Sequence, residues 1–147
     1  AADLYPPRKT FVAGPRDAAL RRARTCYDHL AGKLGVALAD AMTAQGYAEL
    51  TGEAGLVTDA GVGFLGRLGI DVEELQGGRS PRRSRILCRP CLDWSEGRSH
   101  LAGALGAAIC TRSFGEGWIR RIDGTRAVSI TPKGARVFQE VFGADVG

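Results

Sequence analysis

The sequence predicts an α+β, mostly helical protein built as a tandem duplication of one unit: a helix, a two-stranded hairpin and a second helix. The heptapeptide HLAGKLG at residues 29–35 returns as HLAGALG at residues 100–106, 71 positions later (100 − 29). In each copy a glycine-aromatic pair ends the helix, and a Thr-x-x-Gly phrase begins the next one. We expect the two copies to pack with pseudo-two-fold symmetry, each covering apolar surface of the other.

The regions around the two copies are assigned from composition. Residues 1–14 contain prolines, a glycine and little periodicity, which predicts a tail or linker. A helix is predicted over PRDAALRRAR at residues 15–24, because proline lies at its start, an aspartate in its first turn and arginines toward its end. The predicted boundaries place the first copy at residues 15–70, a basic linker at residues 71–87 and the second copy at residues 88–147.

The first copy begins with apolar residues at three-to-four spacing, which predicts one helix over residues 29–45. Gly46 and Tyr47 follow, and the run YAELTGEAGLVT predicts two short strands joined at a glycine-containing turn. The phrase TDAG, which begins at Thr58, predicts the start of the second helix because threonine is a favourable N-cap.

The second copy repeats this order with clearer turn signals. Its first helix is predicted over residues 100–115 and ends near Gly117. The segments WIRRI and RAVSIT flank an Asp-Gly pair, which favours a hairpin. TPKG, beginning at Thr131, combines a threonine cap with proline at the first helical position, so a helix is expected to begin there.

The hairpin-and-helix segment GWIRRIDGTRAVSITPKGARVF resembles the C-terminal half of a winged helix-turn-helix domain, in which a recognition helix leads into a two-stranded wing. GYAELTGEAGLVTDAGVGFLGRLG fits the same pattern more loosely. Gly35 and Gly46 are only 11 positions apart, too few for a turn and a whole recognition helix. We therefore interpret each copy as a winged-helix-like repeat and neither as a complete DNA-reading module.

Two longer phrases, RTCYDHLAGKLGVALADAM and LCRPCLDWSEGRSHLAGALGAAI, resemble the C-terminal region of long bacterial regulators of the ArsR (arsenical-resistance repressor) family. The resemblance covers about residues 15–145. It implies an effector-sensing or dimerisation part of a transcriptional regulator that binds DNA through the full-length protein, and regulators of this class usually form homodimers. The chain does not begin with Met, and we expect it to be the downstream part of a longer protein without the N-terminal DNA-reading module.

Positive charge gives a second, weaker indication of nucleic acid. The net charge is +4, the pI is about 9.1, and 17 of the 20 basic residues are arginines, which suit phosphate contacts. The alternative is a solvated linker and hairpin surface. The candidates for contact with a nucleic-acid backbone are Arg82, Arg83, Arg85, Arg120, Arg121 and Arg126.

Cysteines and histidines form a C-x2-H and a C-x2-C pair, a set of side chains that suits Zn²⁺. The phrase Cys91-Leu92-Asp93 also matches Cys26-Tyr27-Asp28, and the histidines match within the repeat. Two alternatives remain open: a thiol-redox sensor, and cysteines buried for structural reasons, as expected of Cys110. The candidates for a metal or thiol sensor are Cys26, His29, Cys88, Cys91 and His100.

Asp93, Trp94 and Glu96 are candidates for an effector pocket, with a loop anchored by Trp94 as the alternative.

Neither an activated nucleophile nor a phosphate-binding glycine loop is evident, so no enzymatic activity is predicted. A small thiol-dependent enzyme is the remaining alternative. The sequence has no export signal or membrane-length apolar run, which predicts a cytoplasmic protein that does not contact membranes.

Overall fold

The computed structural model describes residues 15–76 and 86–146 and shows within them a mixed α/β protein with six helices and four two-stranded antiparallel sheets. The helices are α1 (Pro15–Arg22), α2 (Gly32–Ala44), α3 (Asp59–Arg67), α4 (Val72–Leu75), α5 (Gly103–Gly115) and α6 (Pro132–Arg136), and α6 continues into a π-helical turn at Val137–Val141. The strands form the hairpins β1 (Arg24–Cys26)–β2 (His29–Ala31), β3 (Ala48–Thr51)–β4 (Ala54–Val57), β5 (Arg89–Asp93)–β6 (Arg98–Ala102) and β7 (Ile119–Arg121)–β8 (Val128–Ile130). None of the helices in these two ranges is both long and apolar enough to cross a membrane.

The order hairpin, helix, hairpin, helix occurs in residues 24–67 and again in residues 89–136. We call these two ranges the first and the second unit. The helix predicted at residues 15–24 is present as α1 but ends at Arg22, and Arg24 begins strand β1. The hairpins predicted after the two glycine-aromatic pairs are present as β3–β4 and β7–β8. Mixed helices and strands are therefore confirmed. The sequence had not predicted the hairpins β1–β2 and β5–β6.

The helices predicted over residues 29–45 and 100–115 are wrong at their first residues. His29–Ala31 and residues 100–102 are strands, and the helices begin at Gly32 and Gly103. Leucine and alanine at helical spacing concealed this boundary in the sequence. Both glycines have positive φ, 75° and 83°, a conformation that glycine adopts without strain, so the chain can turn there from strand into helix.

Threonine caps fix the second helix of each unit, as predicted. The Thr58 hydroxyl oxygen accepts from the Gly61 backbone N–H at 3.0 Å, and the Thr131 hydroxyl oxygen accepts from that of Gly134 at 2.9 Å. Each hydroxyl also donates to a carbonyl oxygen, of Gly46 or Gly117, at the end of the preceding helix. One side chain in each unit therefore joins the end of one helix to the start of the next.

The two units pack reciprocally, because α2 lies on β6 and α5 lies on β2. Glycine allows this close approach: a Cβ atom built on Gly35 would lie 3.2 Å from the Cβ of His100, and one built on Gly106 would lie 3.1 Å from the Cβ of His29. The small gap between the units is lined by three pairs of residues, each 71 positions apart. These residues are Leu30, Gly35, Leu38, Leu101, Gly106 and Ile109.

Buried aromatic side chains extend one apolar core across both units. The ring of Phe64 in α3 meets that of Phe142 edge-on, with 5.3 Å between centroids, and Phe142 in turn meets Trp118 at 6.2 Å. Phe138 and Phe142 are completely buried, and buried residues of both units belong to the same hydrophobic cluster. The hairpins β1–β2 and β5–β6 are thereby held on a shared, close-packed interior.

Candidate metal-binding site

The hairpins β1–β2 and β5–β6 each place a cysteine opposite a histidine. Cys26 pairs with His29 across the first hairpin, and Cys91 pairs with His100 across the second. Directly opposed residues of an antiparallel pair project to the same face of the sheet, and the two faces meet. The Sγ and imidazole nitrogen atoms of these four residues, which we call the Cys/His cluster, all lie within 4.8 Å of one another.

The two histidine rings form the buried side of the Cys/His cluster. The Nε2 atoms of His29 and His100 are 3.0 Å apart, and the side chains are only 4% and 1% exposed. Cys26 and Cys91 are half-buried free thiols. The cluster is thus shielded on its imidazole side and remains accessible on its thiol side.

A carboxylate lies beside Nδ1, the second nitrogen atom, of each histidine ring. Asp93 Oδ2 is 3.0 Å from His100 Nδ1, and Asp28 Oδ1 is 3.3 Å from His29 Nδ1. A carboxylate oxygen accepts a hydrogen bond from an Nδ1–H, and a neutral ring that donates at Nδ1 presents a lone pair at Nε2. Two lone pairs that face each other at 3.0 Å repel unless a proton or a metal ion lies between them.

Asp93 is completely buried and is held by several donors. Its Oδ2 accepts from the Gly32 backbone N–H at 2.6 Å, and its Oδ1 accepts from the Ser95 hydroxyl at 2.6 Å and from Arg24 Nη2 at 3.3 Å. Burial alone would raise the pKa of Asp93, but these hydrogen bonds and the Arg24 charge together lower the pKa well below its usual range. Asp93 is therefore ionised and fixes the orientation of the His100 ring.

Burial shifts the pKa of two residues of the Cys/His cluster, His100 and Cys91. Burial, followed by the neighbouring His29 ring, lowers the pKa of His100 and favours the neutral imidazole that metal ions bind. Burial, followed by the neighbouring Cys26 thiol, raises the pKa of Cys91. Both shifts favour the neutral forms of His100 and Cys91.

The three predicted effector-pocket residues lie at the end of β5 and in the β5–β6 turn, where the Glu96 backbone N–H donates to Asp93 Oδ1 at 3.2 Å. Asp93 is internal, the ring of the 66%-exposed Trp94 covers the guanidinium of Arg24 at 4.5 Å, and Glu96 lies 3.9 Å from the Lys33 ammonium. A surface cavity of about 300 Å³ is lined by other residues. They are Arg22, Lys33, Leu34, Ile130, Asp145 and Val146.

The remaining two cysteines lie outside the Cys/His cluster. Cys88 is buried, and a Cβ built on Gly55 would lie 3.0 Å from its Sγ. It precedes Cys91 by three residues in an extended segment, where side chains an odd number of positions apart point to opposite sides. Cys110 is buried in α5, as expected, and burial raises the pKa of both thiols to about 11.

The predicted nucleic-acid contacts fall into two groups. Arg82, Arg83 and Arg85 lie outside the described residues. Arg120, Arg121 and Arg126 are exposed at the β7–β8 hairpin, and the Arg121 guanidinium stacks on the Phe114 ring at 4.6 Å. This second group presents positive charge to solvent.

Sequence reasoning missed the residues that support the histidines. Asp28 was not a candidate, and Asp93 was assigned to a pocket rather than to the His100 ring. Arg24 is 2% exposed and pairs with Asp93, yet nothing in its sequence context set it apart from the other arginines. The available signal was Cys-x-Asp, which occurs in both units and places one aspartate beside each histidine.

The comparisons with known proteins gave one informative relative. The chain is 44% identical over 121 residues to a Bacillus subtilis (strain 168) protein named "Uncharacterized HTH-type transcriptional regulator YdfF". The alignment includes 82% of this chain and 51% of YdfF, so the chain spans about half the length of that relative. No family model and no solved structure matches the chain.

Proposed function

We propose that this chain is the effector-sensing and dimerising half of a DNA-binding transcriptional regulator. The observation that carries the proposal is the 44% identity to half of a protein named as an HTH-type transcriptional regulator. We assign sequence-specific DNA reading to the part of the regulator outside the aligned half. The ArsR-like phrases around Cys26 and Cys91 support membership of the ArsR family. The relative is named as a transcriptional regulator, which favours a non-enzymatic role for this chain as well.

We further infer that residues 24–67 and 89–136 are tandem copies of a winged-helix-like unit related by a pseudo-two-fold axis. The repeated element order, the two threonine caps and the reciprocal packing of α2 and α5 support this inference. In each copy, the hairpin after the long helix corresponds to the wing. The exposed arginines of β7–β8 are then placed where wings contact a phosphate backbone.

The Cys/His cluster is the feature of the described residues that best suits sensing. Its thiols are accessible, its imidazoles are oriented, and its four side chains come from both units. A metal ion or an oxidant that acts there would change how the two units are joined. This sensor function is compatible with the regulator assignment and explains why such a half is attached to a DNA-reading module.

A tagged copy expressed from its native locus is expected to crosslink to a few discrete promoters, and deletion of the gene is expected to change the transcripts from those promoters. The physical reason is that specific operators are bound about 10³–10⁷-fold more tightly than other DNA. The measurement is chromatin immunoprecipitation combined with transcript sequencing. An untagged strain provides the control. Uniform background across the chromosome together with unchanged transcripts would overturn the regulator proposal.

The isolated chain is expected to form a homodimer through the outer surface of its hairpins β1–β2 and β5–β6. These hairpins expose three large apolar side chains, Tyr27 at 93%, Leu92 at 69% and Trp94 at 66%, and exposed apolar surface is where protein–protein contacts form. Sedimentation equilibrium should give twice the 15.6 kDa chain mass, with Leu92→Glu shifted toward monomer. Leu56→Glu, at a 50%-exposed position in β4, is the matched control. A monomer at all concentrations would contradict the dimer.

A further inference from the structure

We propose that Cys26, His29, Cys91 and His100 bind one Zn²⁺ ion in a tetrahedral site that joins hairpin β1–β2 to hairpin β5–β6. The inference goes beyond the regulator proposal, because the ion belongs to this chain whether or not the full-length protein binds DNA. It rests on three observations: the spacing of the four donor atoms, the chemistry of those donors and the carboxylates behind both imidazoles.

The spacing fits a tetrahedron around one ion. Zn–N bonds of about 2.0–2.1 Å and Zn–S bonds of about 2.3 Å place neighbouring ligand atoms roughly 3.3–3.8 Å apart. The donor atoms of the Cys/His cluster all lie within 4.8 Å of one another, and the two Nε2 atoms are 3.0 Å apart. An ion can therefore enter after small movements of the side chains, with the backbone of both hairpins unchanged.

The donor set selects the kind of metal ion. Two thiolates and two imidazoles suit the borderline-soft Zn²⁺, whereas Mg²⁺ and Ca²⁺ require oxygen ligands. Two thiolates also neutralise the charge of a divalent ion, which favours a half-buried location. Four protein ligands complete the tetrahedron and leave no position for a water molecule, as in structural and regulatory rather than catalytic zinc sites.

The carboxylates behind the two imidazoles have the arrangement that is usual for zinc-binding histidines. Asp28 and Asp93 each accept from an Nδ1–H, so both Nε2 lone pairs point into the cluster. A Zn²⁺ ion between the rings removes the repulsion of those lone pairs. Asp93 also accepts from the Gly32 N–H at the start of α2, and its carboxylate therefore connects the His100 ligand to the helix of the other unit.

The whole chain, purified in reducing buffer without chelators, is expected to contain one zinc ion per chain by elemental mass spectrometry. Metal-free protein titrated with Co²⁺ is expected to develop the intense visible d–d bands of tetrahedral cobalt and a thiolate-to-cobalt charge-transfer band. Cys91→Ser and His100→Ala should each lose the bound zinc and these bands. Cys88→Ala and Cys110→Ala are the matched controls and should retain both, because their thiols lie outside the cluster.

Three results would overturn the proposal. In the first, the folded native chain contains less than a tenth of an equivalent of zinc and gives only weak octahedral Co²⁺ bands. In the second, a Cys26→Ser/Cys91→Ser double variant keeps its zinc. In the third, Cys26 and Cys91 form a disulfide in the native chain. If the purified chain contained copper or iron instead of zinc, the assignment of Zn²⁺ would be wrong. Because the Co²⁺ titration uses the unaltered chain, an unfolded variant does not block the test. Promoter crosslinking is measured separately, so failure of either proposal can be recognised without the other.

Discussion

Replacement of Asp93 by alanine is expected to lower the free energy of unfolding by about 3–5 kcal/mol, the usual cost of removing one partner of a buried ion pair. Arg24 is 2% exposed and would keep its charge without a carboxylate beside it. The Gly32 N–H would also lose its acceptor. The measurement is urea unfolding followed by circular dichroism, with chelator present so that loss of metal does not contribute.

The control for Asp93→Ala is Asp40→Ala, which removes an ion pair on the surface. Arg98 Nη1 lies 2.7 Å from Asp40 Oδ2, but the side chains are 64% and 41% exposed, so the expected loss is about 1 kcal/mol or less. Asp93→Asn retains one acceptor oxygen and should fall between the two. Equal shifts for Asp93→Ala and Asp40→Ala would show that the buried carboxylate does not carry the stability assigned to it here.

Gly134→Ala is expected to lower the free energy of unfolding by about 3 kcal/mol, at the upper end of the usual cost of overpacking. A Cβ atom at this position of α6 would overlap the carbonyl oxygen and carbonyl carbon of Trp118. Since these are backbone atoms of a segment that also bonds to Thr131, no flexible group can move aside. Thermal and urea unfolding should both detect the loss.

Gly115→Ala provides the matched control for the same chemical change. Gly115 is the last residue of α5, and nothing lies within 4 Å of a Cβ atom built there. Alanine should increase stability by about 0.5–1 kcal/mol, because it reduces the conformational freedom of the unfolded chain. If Gly134→Ala stabilised the protein as Gly115→Ala does, the close approach of α6 to Trp118 would be wrong.

The sequence predicted those elements whose signals are local. Thr58 and Thr131 cap helices, and the glycine-aromatic pairs lead into hairpins, because caps and turns depend on a few neighbouring residues. The hairpins β1–β2 and β5–β6 were missed because Leu30 and Leu101 lie four residues before Leu34 and Leu105, which is helical spacing. Each hairpin turns at a residue with positive φ, Tyr27 at 60° in the first and Gly97 at 69° in the second, and each packs on the helix of the other unit.

In the candidate site, too, the sequence predicted some residues correctly and missed those that depend on three-dimensional contacts. Repetition of cysteine and histidine in the sequence led to four residues that the structure brings together, whereas Cys88, predicted with them, lies outside the Cys/His cluster. Cys88 stands three residues before Cys91, as Ala23 stands before Cys26, and both are buried at 2% and 0% exposure. Comparison of the two units residue by residue would have separated Cys88 from the others. The orientation of the histidine rings required the three-dimensional positions of the carboxylates.

Each hairpin contributes a complete thiol-imidazole pair to the Cys/His cluster. The Cys/His cluster therefore depends on the presence of two such hairpins and not on the peptide that connects them. Two separate polypeptides, each with a single hairpin of this kind, would offer an ion the same four donor atoms. In a single chain the two halves can also differ: one has a two-residue turn and the other a four-residue turn, while the thiol and imidazole positions are the same in both.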